Sequence, residues 1–198
     1  TRIVDPDEIA LKHFLDSLSV AALLPLGTGS LALIDVGSGA GFPGLPLKIA
    51  LPQLRLTLLE ATGKKTRFLR QLLDLLQLKD VTVLTARAEE AGRLPAHRQQ
   101  YDVAVARAVA ALPVLAEYTL PLVKVGGLVI AQKGQSPQAE VKAAANAVGI
   151  LGGKVDEIVP VAVPGLDAAR HLLVIRKVKP TPPQYPRRPG MPAQKPIR

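Results

Sequence analysis

Residues 35–44 read DVGSGAGFPG, four glycines and a proline in ten positions, directly after the apolar run LALI. Glycine gives up more backbone entropy on folding than any other residue. Its concentration here means that the main chain turns tightly or lies against something bulky. A nicotinamide dinucleotide, another nucleoside-type cofactor and a bare phosphate are the candidates, and the frame in which the glycines are read separates them.

From Gly39 the residues fit G-x-G-x-x-G, the dinucleotide pattern, with Glu60 following 21 positions later to hold a ribose. From Asp35 they fit acid-x-G-x-G-x-G through Gly37, Gly39 and Gly41, which suits an adenosyl cofactor without phosphate. Two local features favour the second frame. Asp35 at a strand end would repel a pyrophosphate and welcome a cationic amino-acid moiety. Pro43 removes a backbone donor from the stretch that should open a phosphate-binding helix. The alternative without a ligand is a turn needed only for tight packing.

Outward from the turn, LALIDV (31–36) is a short apolar run of the kind a buried parallel strand gives. RLTLLE (55–60), VTVLT (81–85), DVAVA (102–106) and LVIAQ (128–132) are four more. Helical stretches lie between them: LPLKIAL, GKKTRFLRQLLDLLQL, LPVLAEYTLPLV (ending before Gly126-Gly127) and SPQAEVKAAANAV. Upstream, Asp5-Pro6-Asp7-Glu8 reads as a capped helix start, and that helix runs to Pro25. The alternation predicts an α/β fold with a doubly wound, mostly parallel sheet and helices on both faces. KVDEIVPVAVPG and RHLLVIRKV then follow one another without a helix, which predicts a C-terminal antiparallel hairpin. A dinucleotide fold would not need that hairpin, so it too favours the second frame. Residues 1–178 are thus expected to form one domain. Residues 179–198 hold seven prolines and are expected to form an extended basic arm with no regular element.

The net charge is +9 over 198 residues, and the stretch from Arg176 onward carries seven Lys and Arg and no acid. A nearly balanced globule with a cationic tail suggests a polyanionic partner such as nucleic acid, the alternative being a solubilising tail. No apolar run approaches the ~20 residues of a membrane span. Asp5, Asp7 and Glu8 sit where a signal peptide would be positive. The lack of cysteine excludes disulfides and thiolate metal sites and is compatible with a cytoplasmic location. His13, His97 and His171 show no metal-ligand spacing, so no metal is expected. Because the chain starts at Thr1, residues upstream are expected to have been removed or left out.

HFLDSL, DVGSGAGFPG, GKKTRFL, RAEE, ARAVA, QKGQ and YPRRPGMPAQKP occur in this order along the chain. In this the sequence resembles the bacterial ribosomal RNA small-subunit methyltransferase G family, also called glucose-inhibited division protein B, over its whole length. The family usually has a further helical segment upstream that is not in this sequence. The resemblance implies the S-adenosylmethionine-dependent methyltransferase fold and S-adenosylmethionine as cofactor. It implies transfer to nitrogen-7 of a guanine in small-subunit (16S) ribosomal RNA, bare or in an assembling subunit, by a cytoplasmic enzyme expected to be a monomer. Carried over by motif, cofactor contacts fall on Gly37 and Phe42, on Glu60, Ala61 and Thr62, on Ala88 and Glu89, and on Arg107, with Asp35, Gly39 and Gly41 lining the turn.

Each position also has a physical reading. The Glu60 carboxylate can accept both ribose hydroxyl protons, or it can be an exposed helix-start acid. Backbone groups at Ala88-Glu89 can read an adenine edge, or Glu89 and Glu90 can begin a short helix. Arg107 stands alone in the apolar run VAVARAVAALPVL. A lone charge there needs a partner: the cofactor carboxylate, Asp35, the RNA backbone or a structural ion pair. Lys64, Lys65, Arg67 and Arg70 crowd a helix start, where cations oppose the macrodipole, as a phosphate-facing patch or a solvated face. Arg107 and Lys133 are candidates beside the target base, as is Gln135. Arg187 and Arg188 are candidates for phosphate contacts and Tyr185 for base stacking. His13, Asp16 and Ser17 read as helix packing. Nitrogen-7 of guanine carries a lone pair and no proton, so no general base is required and no catalytic base is assigned. A small-molecule methyltransferase and a non-catalytic RNA-binding module on the same fold are the alternatives. Deletion of 179–198 is expected to weaken RNA binding and flatten its salt dependence.

Overall fold

The computed structural model describes residues 5–27, 29–134, 137–165 and 169–198. Seven strands form one sheet: β1 (Ala32–Val36), β2 (Arg55–Glu60), β3 (Val81–Thr85), β4 (Tyr101–Arg107), β5 (Val123–Lys133), β6 (Gly153–Val161) and β7 (Arg170–Lys177). Their spatial order is β3-β2-β1-β4-β5-β7-β6. The first five run parallel, and β7 lies antiparallel to both β5 and β6. The mostly parallel sheet and its antiparallel ending agree with the strand and helix alternation read from the sequence.

The helices are α1 (Pro6–Ile9), α2 (Asp16–Leu18), α3 (Gly44–Ala50), α4 (Gly63–Leu76), α5 (Ala88–Ala91), α6 (Leu112–Thr119), α7 (Pro137–Ile150) and α8 (Met191–Gln194). Asp5 caps α1 as expected, its carboxylate accepting the Glu8 N–H at 2.8 Å. The helix it starts is not one uniform rod: a π-helical stretch, Ala10–Leu15, joins α1 to α2, and a 3-10 stretch, Ser19–Leu23, follows. The wider π turn is a local backbone choice that hydrophobic spacing does not report.

Strand residues alternate between two cores, as a sheet covered on both faces requires. Ile34, Leu59, Ala104 and Val129 pack with Leu112 and Leu115 of α6 and Ala144 and Val148 of α7. Leu33, Leu58, Val103 and Ile130 pack with Leu45 and Leu47 of α3, Leu69 of α4 and Val20 from the first helical segment. Each such leucine or isoleucine contributes about 1.5–3 kcal/mol by leaving water. Strand β5 begins earlier than the sequence predicts, since Gly126-Gly127 reads as a terminator. The chain instead runs through it because β5 passes close to β4: a Cβ on Gly127 would stand 2.5 Å from the Asp102 carbonyl oxygen.

The tail is the main departure. Residues 179–198 fold back onto the body and include the short helix α8, where an arm without regular structure was expected. Proline removes the N–H but leaves the carbonyl, and the body supplies donors. Arg98 donates to the carbonyls of Thr181, Pro182 and Tyr185, and Arg93 to those of Gln184 and Pro186. At the tail's root, Lys177 is fully buried and donates to the carbonyls of Leu120 (2.7 Å) and Leu151 (3.1 Å) and to the Thr181 hydroxyl. Burial, with a smaller contribution from the charge of Arg98, pushes its pKa down to about 7. No helix of the described residues is long and apolar enough to cross a membrane.

Candidate active site

The strand order reverses between β1 and β4, and ligands of open α/β sheets bind beyond the carboxyl ends of the strands at that point. The glycine turn lies there. Gly37, Gly39 and Gly41 all have positive φ (75°, 58° and 98°), the left-handed region that disfavours side chains. At Gly37 space is short as well, since a Cβ would come within 2.8 Å of a Val109 methyl.

Two acids hold the turn from opposite sides. Asp35 is fully buried beneath it, and its Oδ2 accepts the Gly44 N–H at 2.9 Å. Burial drives its pKa up to about 7, against the Gly44 hydrogen bond and the Arg107 charge, which lower it. The expectation that Asp35 lines the turn for a cationic ligand is therefore corrected: it braces the loop from inside and does not face the crevice. Glu60, at the end of β2, accepts the Gly39 N–H (3.1 Å) through Oε2 and the Thr62 N–H (2.8 Å) through Oε1, and Lys65 lies 3.6 Å from it. Burial raises its pKa, but the Thr62 hydrogen bonds, the Lys65 charge and the Gly39 N–H outweigh burial and hold it below the ordinary carboxylate value. Glu60 is not the exposed helix-start acid of the alternative reading. Thr62 serves by holding that carboxylate, through its backbone N–H and its side chain.

A crevice of about 120 Å³ opens beside the turn, bounded by Gly37, Glu60, Ala61, Ala88, Glu89, Val109 and Tyr118. Five of the residues named from sequence thus meet in one place. Val109 and Tyr118 were missed. Tyr118 sits inside an apolar helix and carries no motif; only its phenol in that run could have marked it. Glu89 and Glu90 do begin the short helix α5, and the Glu89 side chain is turned away to the tail, its Oε1 accepting the Gly190 N–H at 2.9 Å.

Phe42 does not bound this crevice. Its ring packs against His13 and Phe14, with the Arg107 guanidinium 5.2 Å from its centroid. Arg107 in turn donates to Asp16 (3.2 Å) and to the Lys12 carbonyl (3.3 Å), so of its possible partners it has taken a structural ion pair. Asp16, read from sequence as helix packing, is buried and also meets Arg170 at 3.4 Å. A second cavity, about 420 Å³, lies among His13, Arg107, Gln132, Lys133 and Arg170. Lys133 pairs with Glu140 at 2.7 Å. Burial and the nearby Arg107 charge push the His13 pKa below its ordinary value. Gln132 was not singled out from sequence. Its Nε2 donates to the Asp16 carbonyl at 2.7 Å, while its buried Oε1 has no partner. Gln135 lies outside the described residues.

A third hollow is lined by Gly39, Ala40, Lys64, Lys65 and Phe68. Lys64 is exposed there and Arg67 is exposed farther along α4, whereas Arg70 donates to Thr85 of β3 at 2.9 Å. Two tail assignments need correcting. Arg187 does not present its charge outward: its side chain grips the fully buried Glu117 through Nε and Nη2 (2.9 and 2.6 Å), which raises its pKa. Tyr185 packs on the core and is not a free stacking platform. Arg188 remains exposed.

The model of the family described as rRNA small subunit methyltransferase G matches residues 1–173. The Ribosomal RNA small subunit methyltransferase G of Roseiflexus sp. (strain RS-1) is 55% identical, the match covering 100% of this chain and 83% of the relative. The protein of the same name from Acetivibrio thermocellus is 49% identical over 100% of this chain and 80% of its own length. Among solved structures, the complex between the Haloferax volcanii Trm112 methyltransferase activator and the putative methyltransferase gives a TM-score of 0.68 at 16% identity, covering 87% of this chain and 93% of that one. That likeness carries the fold, and the sequence matches carry the lineage: this chain is a member of the rRNA small subunit methyltransferase G family, GidB.

Proposed function

We propose that this chain transfers a methyl group from S-adenosylmethionine to nitrogen-7 of a guanine in small-subunit ribosomal RNA. The observation that carries the reading is the Glu60 carboxylate at the mouth of the crevice. Its Oε2 accepts the Gly39 N–H and its Oε1 the Thr62 N–H, and a carboxylate offers about four acceptor directions in all, so capacity is left for ribose hydroxyls. Gly37 fits the same ligand, because any side chain there would collide with Val109 and narrow the crevice. Ala61, Ala88 and Val109 offer apolar contact for an adenine, and Tyr118 lines the crevice with them. The bound cofactor supplies the electrophilic methyl group.

The chain's own residues then hold the acceptor base. The second cavity is rich in donors: Arg107, Lys133 and Arg170 suit the guanine O6 and the phosphate backbone. Its buried unpartnered acceptor is Gln132 Oε1, suited to the N1–H or the 2-amino group, both of which guanine has and adenine lacks. Asp16 and Glu140 offset those cations at 3.2–3.4 Å and 2.7 Å, which limits their repulsion of the positive charge that grows on the base. Nitrogen-7 brings its own lone pair, so alignment and exclusion of water are the protein's task and no side chain need remove a proton. Lys64, Arg67 and Arg188 extend the basic surface for RNA.

Incubating the chain with labelled S-adenosylmethionine and small subunits lacking the modification tests this directly. The expected product is labelled 7-methylguanine at one position of the small-subunit RNA. Label on another base, or binding of a nicotinamide dinucleotide in place of the cofactor, overturns the proposal.

A further inference from the structure

Helix α5 is only four residues long, yet it supplies Ala88 and Glu89 to the crevice wall. A helix that short does not hold itself in place. The tail grips it at both ends. At its start, the Glu89 carboxylate, 2% exposed, accepts the Gly190 N–H. Just past its end, Gly92 lies so close to Pro186 that a Cβ there would stand 3.0 Å from the proline Cγ and 3.2 Å from Cδ.

The same stretch of tail is tied to α6, which packs against α5 and supplies Tyr118 to the crevice lining. Arg187 is locked to Glu117, whose next neighbour along α6 is Tyr118. Arg93 and Arg98, just beyond α5, hold the carbonyls of residues 181–186. The tail between Thr181 and Gly190 therefore touches the supports of both α5 and α6 while lining none of the crevice itself.

We infer that residues 181–190 form a clasp that holds the α5–α6 side of the cofactor crevice in its binding position, with Arg187, Glu117 and Gly92 as positioning residues. The inference rests on the proposal that this crevice takes S-adenosylmethionine. It also changes what a tail deletion would report. Loss of 179–198 would loosen cofactor binding as well as remove basic charge, so weakened methylation after that deletion is no measure of RNA contact alone.

Linkage makes the clasp testable in the unaltered chain: if the tail holds the crevice, the ligand must hold the tail. Hydrogen exchange with and without S-adenosylhomocysteine should show slower exchange at residues 184–191 as well as at 60–62 and 87–89, with the edge strand β6 unchanged. Protection at the crevice but none at the tail overturns the clasp. No protection at either overturns the cofactor reading instead.

Variants give a second readout. Arg187→Ala should weaken S-adenosylhomocysteine binding about tenfold by calorimetry, ~1.4 kcal/mol, measured well below its melting temperature. Should that variant fail to fold, Gly92→Ala and Gly92→Leu press on Pro186 stepwise without removing a charge, and affinity should fall in that order. Folded variants with lowered melting temperature and unchanged affinity would reduce the tail to a passive buttress and refute the clasp.

Discussion

The glycine turn and the C-terminal tail are alike in composition and opposite in legibility. Both are crowded with residues that break regular structure, and both are held by buried carboxylates: Asp35 and Glu60 in the turn, Glu89 and Glu117 in the tail. The turn's partners come from β1 and β2, which the order of a doubly wound sheet already places together. The tail's partners lie 70 to 101 positions away, and nothing in a run of prolines names them. Glycine-rich and proline-rich segments are therefore not equivalent kinds of disorder. What counts is whether the body presents donors to carbonyls that proline leaves open, as Arg93 and Arg98 do.

The comparison breaks most visibly at Glu117. Replacing Arg187 with Ala leaves a fully buried carboxylate without its ion-pair partner, a loss of about 3–5 kcal/mol. Thermal denaturation should show it, whereas a free arm would give no change. At the turn, Glu60→Ala should reduce cofactor affinity about 100-fold, since two charge-assisted hydrogen bonds of roughly 1.5 kcal/mol each are lost. Calorimetry reads this, and Glu60→Gln, which keeps one acceptor oxygen, should fall between.

Gly44→Ala is expected to cost about 1–3 kcal/mol, because its Cβ would sit 2.8 Å from both Asp35 Oδ2 and a Leu58 methyl. A melting temperature equal to that of the parent would mean that the turn has slack. Asp35 adds a pH signature. Its pKa is raised on folding, so the folded chain binds that proton more tightly than the unfolded one. Its contribution to stability is complete below the ordinary value of 3.8 and is lost as pH rises toward about 7. Asp35→Asn should flatten this part of the melting profile. The smallest effect belongs to the tail surface: Arg188→Ala should lower the salt slope of RNA binding by about one unit and leave the fold intact.

Particular residues show how far the sequence could be read. β2 and β3 have the bounds the sequence predicts: β2 is buried along almost its whole length and leaves a mostly apolar run, and β3, a half-exposed edge strand, is marked by its alternating β-branched residues. Gly37, Glu60, Ala61, Ala88 and Glu89 meet in one crevice because the strand ends bring them there. The start of β5 was hidden by Gly127, whose role is a close approach to a neighbouring strand and not a turn. Arg107 was marked as a charge in need of a partner, but its partner, Asp16, lies 91 positions upstream on a helix whose π turn has no sequence signature. Gln132 escaped because an amide is ordinary in sequence, and only the missing partner of its Oε1 makes it unusual.

The wedge of β7 between β5 and β6 has a consequence for synthesis. The chain reaches β6 first, but β6 has no place beside β5 until residues 170–177 have emerged to separate them. Throughout that interval the nascent protein carries a bare, strongly apolar border along Leu128–Ala131, open to pairing with any passing strand. A chain whose synthesis stalls before Lys177 would have its parallel half formed and its margin unguarded, a natural client for chaperones.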